Sequence, residues 1–253
     1  MRYLAWPNNL LALSATTWVA DNASTAHPVS NLSEEFVSQA WRTTGASDVN
    51  LYIDLGAAKS INLLALSGLT MGTTGTLTWT GGASQNATNI NQVLTYREFD
   101  MYNRLTAAQS WRFHRVRIQD PGNPDGYLQV GMVWLGTASD TPIQFTPDWT
   151  EQPNVRNREQ LSDVGVLHSE LLARQTEIGV LFSGLSKTQA DTIWDEIVVE
   201  CNGSELPVFI IPKDEEYEGY TMKVTQPTRS RTRQMIEIGI KFIEAIRGIA
   251  TNG

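Results

Sequence analysis

A mainly β fold in two domains is what this sequence predicts, on three observations. Apolar residues alternate with polar ones at a period of two in many short runs, as half-buried strands require. Stretches rich in Gly, Asn, Pro, Ser and Thr separate those runs. A capped helical period stands out in one place only, at about residues 186–201. We therefore expect a β-sandwich over residues 1–137, and a β-rich domain with one packed α-helix over residues 140–253.

The bulk properties narrow the possible partners. At 253 residues the chain can form two ordinary domains, each with its own core. Its net charge of -8 argues against nucleic acid or an anionic membrane as a main partner, because both attract basic faces. The single cysteine, Cys201, cannot form an intrachain disulfide and reads as a small buried hydrophobe. Met1 to Pro7 lacks the apolar run of a signal peptide, and no stretch reaches the roughly 18 apolar residues of a spanning helix. Synthesis and assembly in a cytoplasm is the expectation.

In the first half, residues 1–30 are turn-rich and read as loops with short strands. Trp18 opens a polar loop running to Pro28, where an aromatic can stack on a sugar ring or pack beneath its own loop. Asn22 and His27 lie in the same stretch. After Trp41-Arg42-Thr43-Thr44, Leu51, Ile53 and Leu55 alternate with Tyr52 and Asp54 in a strand that Gly56 ends by a turn. Asp54 is expected to bond that turn's backbone. Further strands follow at Ile61–Leu66, Leu77–Thr80, Trp111–Ile118 and Tyr127–Gly136, with an Asn-rich loop at Ser84–Asn91. His114 falls on the face opposite Phe113 and Arg115 and reads as part of a solvated strand face. His27, His114 and His168 match no metal-ligand spacing, so no metal and no cofactor is expected.

The order Asn31-Leu32, Trp41, Ile53-Asp54-Leu55-Gly56, followed by the aromatic and Arg-Val run at Trp111–Ile118, resembles the discoidin or F5/8 type C family. Over about the first 137 residues this implies a galactose-binding-like jelly-roll sandwich. The resemblance also implies ligand loops at one end of the sandwich, here Trp18–Pro28, Thr44–Asn50 and Met71–Gly75. On that basis Trp18, Asn22 and His27 are the carbohydrate-binding candidates. Asn31-Leu32-Ser33-Glu34-Glu35 lacks the family's Asp-Gly pair, and Gly131-Met132 stands where an acidic residue is common, which counts against the family's calcium site.

In the second half, turn-formers at Thr137–Pro142 mark a junction. Ser162–Glu170 and Arg174–Phe182 read as strands. Ser186 with Gln189 forms a capping box, and Ala190, Ile193, Trp194, Ile197 and Val198 give the helix one apolar face that ends at Asn202-Gly203. Leu206–Pro212, Tyr220–Thr225 and Gln234–Ala245 read as strands, with an acidic turn at Asp214–Glu218 and a basic joining segment at Thr228–Arg233. This order is similar to the ring-forming domains of phage tail proteins, over about residues 140–247.

The function expected from both halves is a structural component of a bacteriophage tail tip or baseplate, in the virion tail. It forms a six-fold or three-fold homo-oligomeric ring, contacts other tail proteins, and carries a sandwich that binds host-surface carbohydrate. Arg156, Arg158, Arg229, Arg231 and Arg233 are the expected subunit-interface residues, meeting acidic segments such as Asp214–Glu218. The alternatives are a free-standing lectin-like protein and a glycan-active enzyme. No Gly-x-Ser-x-Gly, His-Glu-x-x-His or Walker-type motif supports the enzyme, so no catalytic residue is assigned.

Overall fold

The structure is a computed structural model describing residues 3–5, 16–33, 39–45, 48–94, 100–140, 150–161, 167–199, 201, 207–213, 218–231 and 235–244. The chain is mainly β. It divides into two compact units: Met1–Thr141 with Phe209–Thr221, and Pro142–Val208 with Met222–Gly253. The first unit thus takes back a later segment that its sequence does not mark.

The first unit contains β1 (Tyr3–Ala5), β2 (Thr17–Ala20), a 3₁₀ turn at Val29–Ser33, β3 (Trp41–Arg42), β4 (Asp48–Ser67), β5 (Thr76–Gly82) and β6 (Ile90–Leu94). It continues with β7 (Met101–Gln119), β8 (Gln129–Val130), β9 (Met132–Gly136) and β10 (Ser139–Asp140). The strands run in the antiparallel order β2-β4-β7-β5-β6, β9 also pairs with β4, and β3 pairs with β8. Long strands β4 and β7 serve twice. Asp48–Asp54 pairs with Phe113–Gln119, Lys59–Ile61 with Gln109–Trp111 and, past a second shift in register, Leu63–Leu66 with Met101–Arg104, the first break falling between Asp54 and Lys59.

Gly56 sits at that break with φ 73°, a left-handed conformation that costs glycine little. Its N–H donates to Asp54 Oδ1 at 2.8 Å. The expected turn is therefore a corner inside one ladder. The same carboxylate accepts two hydrogen bonds from Arg112 at 2.7 and 2.8 Å, and that guanidinium holds Asp54 below the usual carboxylate range.

The core of this unit joins Leu51, Ile53 and Leu55 to Leu77, Trp79, Val116 and Ile118, with Trp41 fully enclosed. Alternation along β7 puts His114 on the same face as Val116 and Ile118, and that face is the core. His114 is 1% exposed, which corrects the expectation of a solvated strand face. Its Nδ1 accepts the Trp79 indole N–H at 3.2 Å.

The second unit opens with β11 (Thr150–Leu161) and β12 (Leu167–Leu185), an antiparallel pair. Here the expected strand at Arg174–Phe182 is present, and it is continuous with the described end of the one expected at Ser162–Glu170. One strand covers Leu167–Leu185, and its partner is a polar segment that no alternation of apolar residues announces. Pro153 in β11 is tolerated because β11 is the terminal strand of its sheet, where a missing N–H costs no ladder bond.

Helix α1 (Lys187–Ile193) follows, and the expected capping box is present. Gln189 N donates to Ser186 Oγ at 3.3 Å and Ser186 N donates to Gln189 Oε1 at 3.0 Å. The coil then widens to a π-helix over Trp194–Val199. Ala190, Ile193, Ile197 and Cys201 are buried, as the apolar spacing requires. The expected stop at Asn202-Gly203 lies outside the described residues.

Strands β13 (Pro207–Lys213), β14 (Glu218–Arg231) and β15 (Ile236–Glu244) complete the chain. Phe209–Ile211 of β13 pairs with β1 in the first unit, while β15 lies between β12 and β14 in the second. Thr228–Arg231, expected to join two strands, continues β14 instead. A register shift between Thr225 and Thr228 accommodates Gln226-Pro227 and lets the pairing resume.

Candidate functional site

Strand register brings four connections of the sandwich to one end. Ala20 pairs with Leu51, and Asp48 and Thr76 both pair with Gln119, so the loops before or after these positions are neighbours. Backbone and side-chain bonds then knit the loops together. Thr44 donates through N and Oγ1 to Asn22 Oδ1 at 2.9 and 2.8 Å. Ser24 N donates to Arg42 O at 2.7 Å, and Arg42 N donates to His27 O at 3.1 Å. Thr43 N donates to Leu128 O, and Leu128 N to Thr43 Oγ1, each at 2.9 Å.

The other two loops are tied in the same way. Gln129 N donates to Thr70 Oγ1 at 3.0 Å, and Asn123 Nδ2 donates to Thr70 O at 2.8 Å. Gly72 N donates to the fully buried Asp120 carboxylate at 2.7 Å. This end is a set of loops fixed by mutual hydrogen bonds rather than by a regular sheet.

Three side chains stand on this frame. Arg42 Nε donates to Gln129 Oε1 at 2.5 Å, and the guanidinium carbon lies 4.9 Å from the centroid of the Tyr127 ring. Arg42, Tyr127 and Gln129 are all half-buried. The β3–β8 pairing sets Arg42 directly opposite Gln129, which explains why the amide meets the guanidinium.

The sequence-derived candidates are placed as follows. Trp18 lies in β2 opposite Ile53, not in a loop, and packs against the core with its indole N–H enclosed. Asn22 stands at the loop end with its carbonyl oxygen held by Thr44, and its backbone oxygen accepts the Trp41 indole N–H at 3.1 Å. His27 is half-buried beside Arg42 and bonds it through the backbone. Arg42, Tyr127 and Gln129 were not among the candidates. The available signal was one aromatic closing the turn-rich stretch Asp120–Gly126, and its link to Arg42 depends on a strand pairing the sequence does not display.

In the second unit, Arg229 Nη2 lies 2.5 Å from Asp191 Oδ1 and its guanidinium carbon 6.0 Å from the Trp194 ring centroid. Arg229 is therefore engaged within its own chain. Arg231 is exposed at the end of β14. Backbone pairing sets Arg156 opposite Ala173 and Arg158 opposite Glu170. Arg233 and residues 214–217 of the acidic turn lie outside the described residues.

Among the described residues, hollows also lie elsewhere. One of about 200 Å³ on the sandwich is lined by Val19, Tyr52, Asp54, Gln85 and Phe113, and its carboxylate is already neutralised by Arg112. One of about 340 Å³ on the second unit is mostly apolar, lined by Leu181, Gly179, Gly239, Thr228 and Lys241. Among the described residues, no three His, Cys, Asp or Glu side chains are grouped to hold a metal ion. No described helix is long and apolar enough to cross a membrane.

No family model matches the chain, and no curated protein sequence matches it. Solved structures do match, over about half of the chain. A Ruminococcus gnavus GH29 fucosidase aligns over 54% of this chain at 10% identity and TM-score 0.45, and this chain spans 28% of that one. The lectin domain of lectinolysin, solved with Lewis b antigen, aligns over 53% of this chain and 99% of its own at 12% identity and TM-score 0.43. The family 32 carbohydrate-binding module of Clostridium perfringens NanJ, solved with galactose, aligns over 53% of this chain and 98% of its own at 12% identity and TM-score 0.41.

Proposed function

We propose that the sandwich is a carbohydrate-binding domain that holds its ligand at the loop end around Arg42, Tyr127 and Gln129. The observation that carries this reading is the half-buried set formed by these three side chains on hydrogen-bonded loops. Sugars present C–H faces and fixed hydroxyls, which are met by an aromatic ring and by donors and acceptors that do not need to be reordered. A glycan array probed with the whole chain tests it. Wild type is expected to retain one class of glycan and Tyr127→Ala to lose it, with unchanged circular dichroism. No retained glycan, or equal retention by the variant, refutes the reading.

A second reading concerns the other unit: assembly into a ring as a virion tail component. It is favoured by the terminal position of β11, a twelve-residue strand with one side unpaired among the described residues, and by the exposed Leu181, Val199 and Met235. Arg156, Arg158 and Arg231 are the residues to test in such an interface, since Arg229 is already paired. Mass photometry at rising concentration should show a closed oligomer. A chain that stays monomeric at every concentration removes this reading and leaves the sandwich as a lectin-like module.

A further inference from the structure

Arg42 differs from Arg112, Arg115 and Arg117 of the sandwich. Arg112 is paired with Asp54, Arg117 with Asp48, and Arg115 bonds Thr80 Oγ1 while lying in the field of Asp48. The partners of Arg42 are a neutral amide and an aromatic face. Neither Asp125, exposed in the neighbouring loop, nor any other described carboxylate forms an ion pair with it, although the chain carries 27 acidic residues. Its Nε is taken by Gln129 and its plane is set against Tyr127, which leaves the Nη1 and Nη2 end of the fork without a protein partner among the described residues.

A guanidinium held this way suits one kind of ligand group best. The two terminal nitrogens present parallel N–H bonds that match the two oxygens of a carboxylate, and charge-assisted pairs of this kind are stronger than neutral ones. The amide bond and the ring have already restricted the side chain, so little further freedom is lost on binding. Resting on the carbohydrate reading above, we propose that the glycan taken at this end is acidic, with a uronic or sialic acid carboxylate received end-on by Arg42 beside Tyr127.

Titration calorimetry with the whole chain and matched probes tests this: trigalacturonic acid against its methyl ester, and 3′-sialyllactose against lactose. At least one acidic member is expected to bind about ten to a hundred times more tightly than its neutral partner, with the advantage shrinking as salt is raised. Arg42→Gln should bring the acidic probe down to the level of the neutral one. Arg42→Lys, which keeps the charge and loses the fork, should recover part of the difference. Neutral probes binding as tightly as acidic ones, or full acidic binding by Arg42→Gln, overturns the inference and leaves the carbohydrate reading standing. Failure of all four probes with wild type, together with an empty glycan array, overturns both.

Discussion

His114 makes the sandwich acid-sensitive by an amount that follows from its surroundings. Its Nδ1 accepts the Trp79 N–H at 3.2 Å, so the ring is neutral with its proton on Nε2. That nitrogen is buried without a hydrogen-bond partner. In register, Ile53 and Gly81 flank it, and neither offers a compensating charge. Burial lowers the imidazole from 6.5 to about 4, only partly opposed by the Trp111 carbonyl.

The unfolded chain thus takes up a proton on this residue as pH falls through 6.5, while the folded chain resists until about 4. Stability from this group is complete above 6.5 and declines towards pH 4, by on the order of 3 kcal/mol in all. The lowered carboxylates Asp48, Asp54, Glu177 and Asp191 act in a different window. Each is held down by a cation, so its contribution is present above its ordinary value of 3.8 or 4.5 and is lost below it.

Urea unfolding followed by tryptophan emission between pH 4.5 and 7.5 measures the effect. Wild type should lose stability steadily below 6.5, and His114→Leu should lose much less over the same span. Equal slopes in the two proteins would refute the reasoning. So would an NMR titration that places the His114 midpoint near 6.5, a test that needs no variant.

Other outcomes are expected. Trp18→Ala should cost the sandwich about 2–3 kcal/mol in urea unfolding, because the ring packs on the core, while glycan retention per folded molecule stays unchanged. Asp54→Ala should cost about 1 kcal/mol by removing the acceptor for Gly56 N–H. Asp54→Asn should cost less, since it keeps that acceptor and gives up mainly an exposed ion pair with Arg112. Ser186→Ala should destabilise the second unit by about 1 kcal/mol in the same assay, through loss of the capping box.

What could be read in advance was local. Alternation at Leu51, Ile53 and Leu55 gave the buried face of β4, Asp54 was rightly expected to bond turn backbone, and the Ser186 and Gln189 spacing located the start of α1. Features set by long-range pairing were harder to see. His114 shares a face with Val116 and Ile118, but two flanking arginines disguised that face as solvated. Strand β11 is polar because it is an edge strand, so it lacked the signal used to find strands. The pairing of Arg42 with Gln129 links positions 87 residues apart, and only the β3–β8 register brings them together. Trp18 reads as a loop residue for the complementary reason: in a polar stretch, its partner Ile53 and the core beneath it are invisible.

The central claim is that glycan meets the sandwich at the Arg42, Tyr127 and Gln129 loop end. Amide chemical-shift mapping of the labelled chain, titrated with the glycan retained on the array, addresses it directly. Shifts should concentrate at Asn22, His27, Arg42, Thr44, Tyr127 and Gln129. Shifts centred instead on the hollow lined by Val19, Tyr52 and Phe113, with the loop end unmoved, would contradict it.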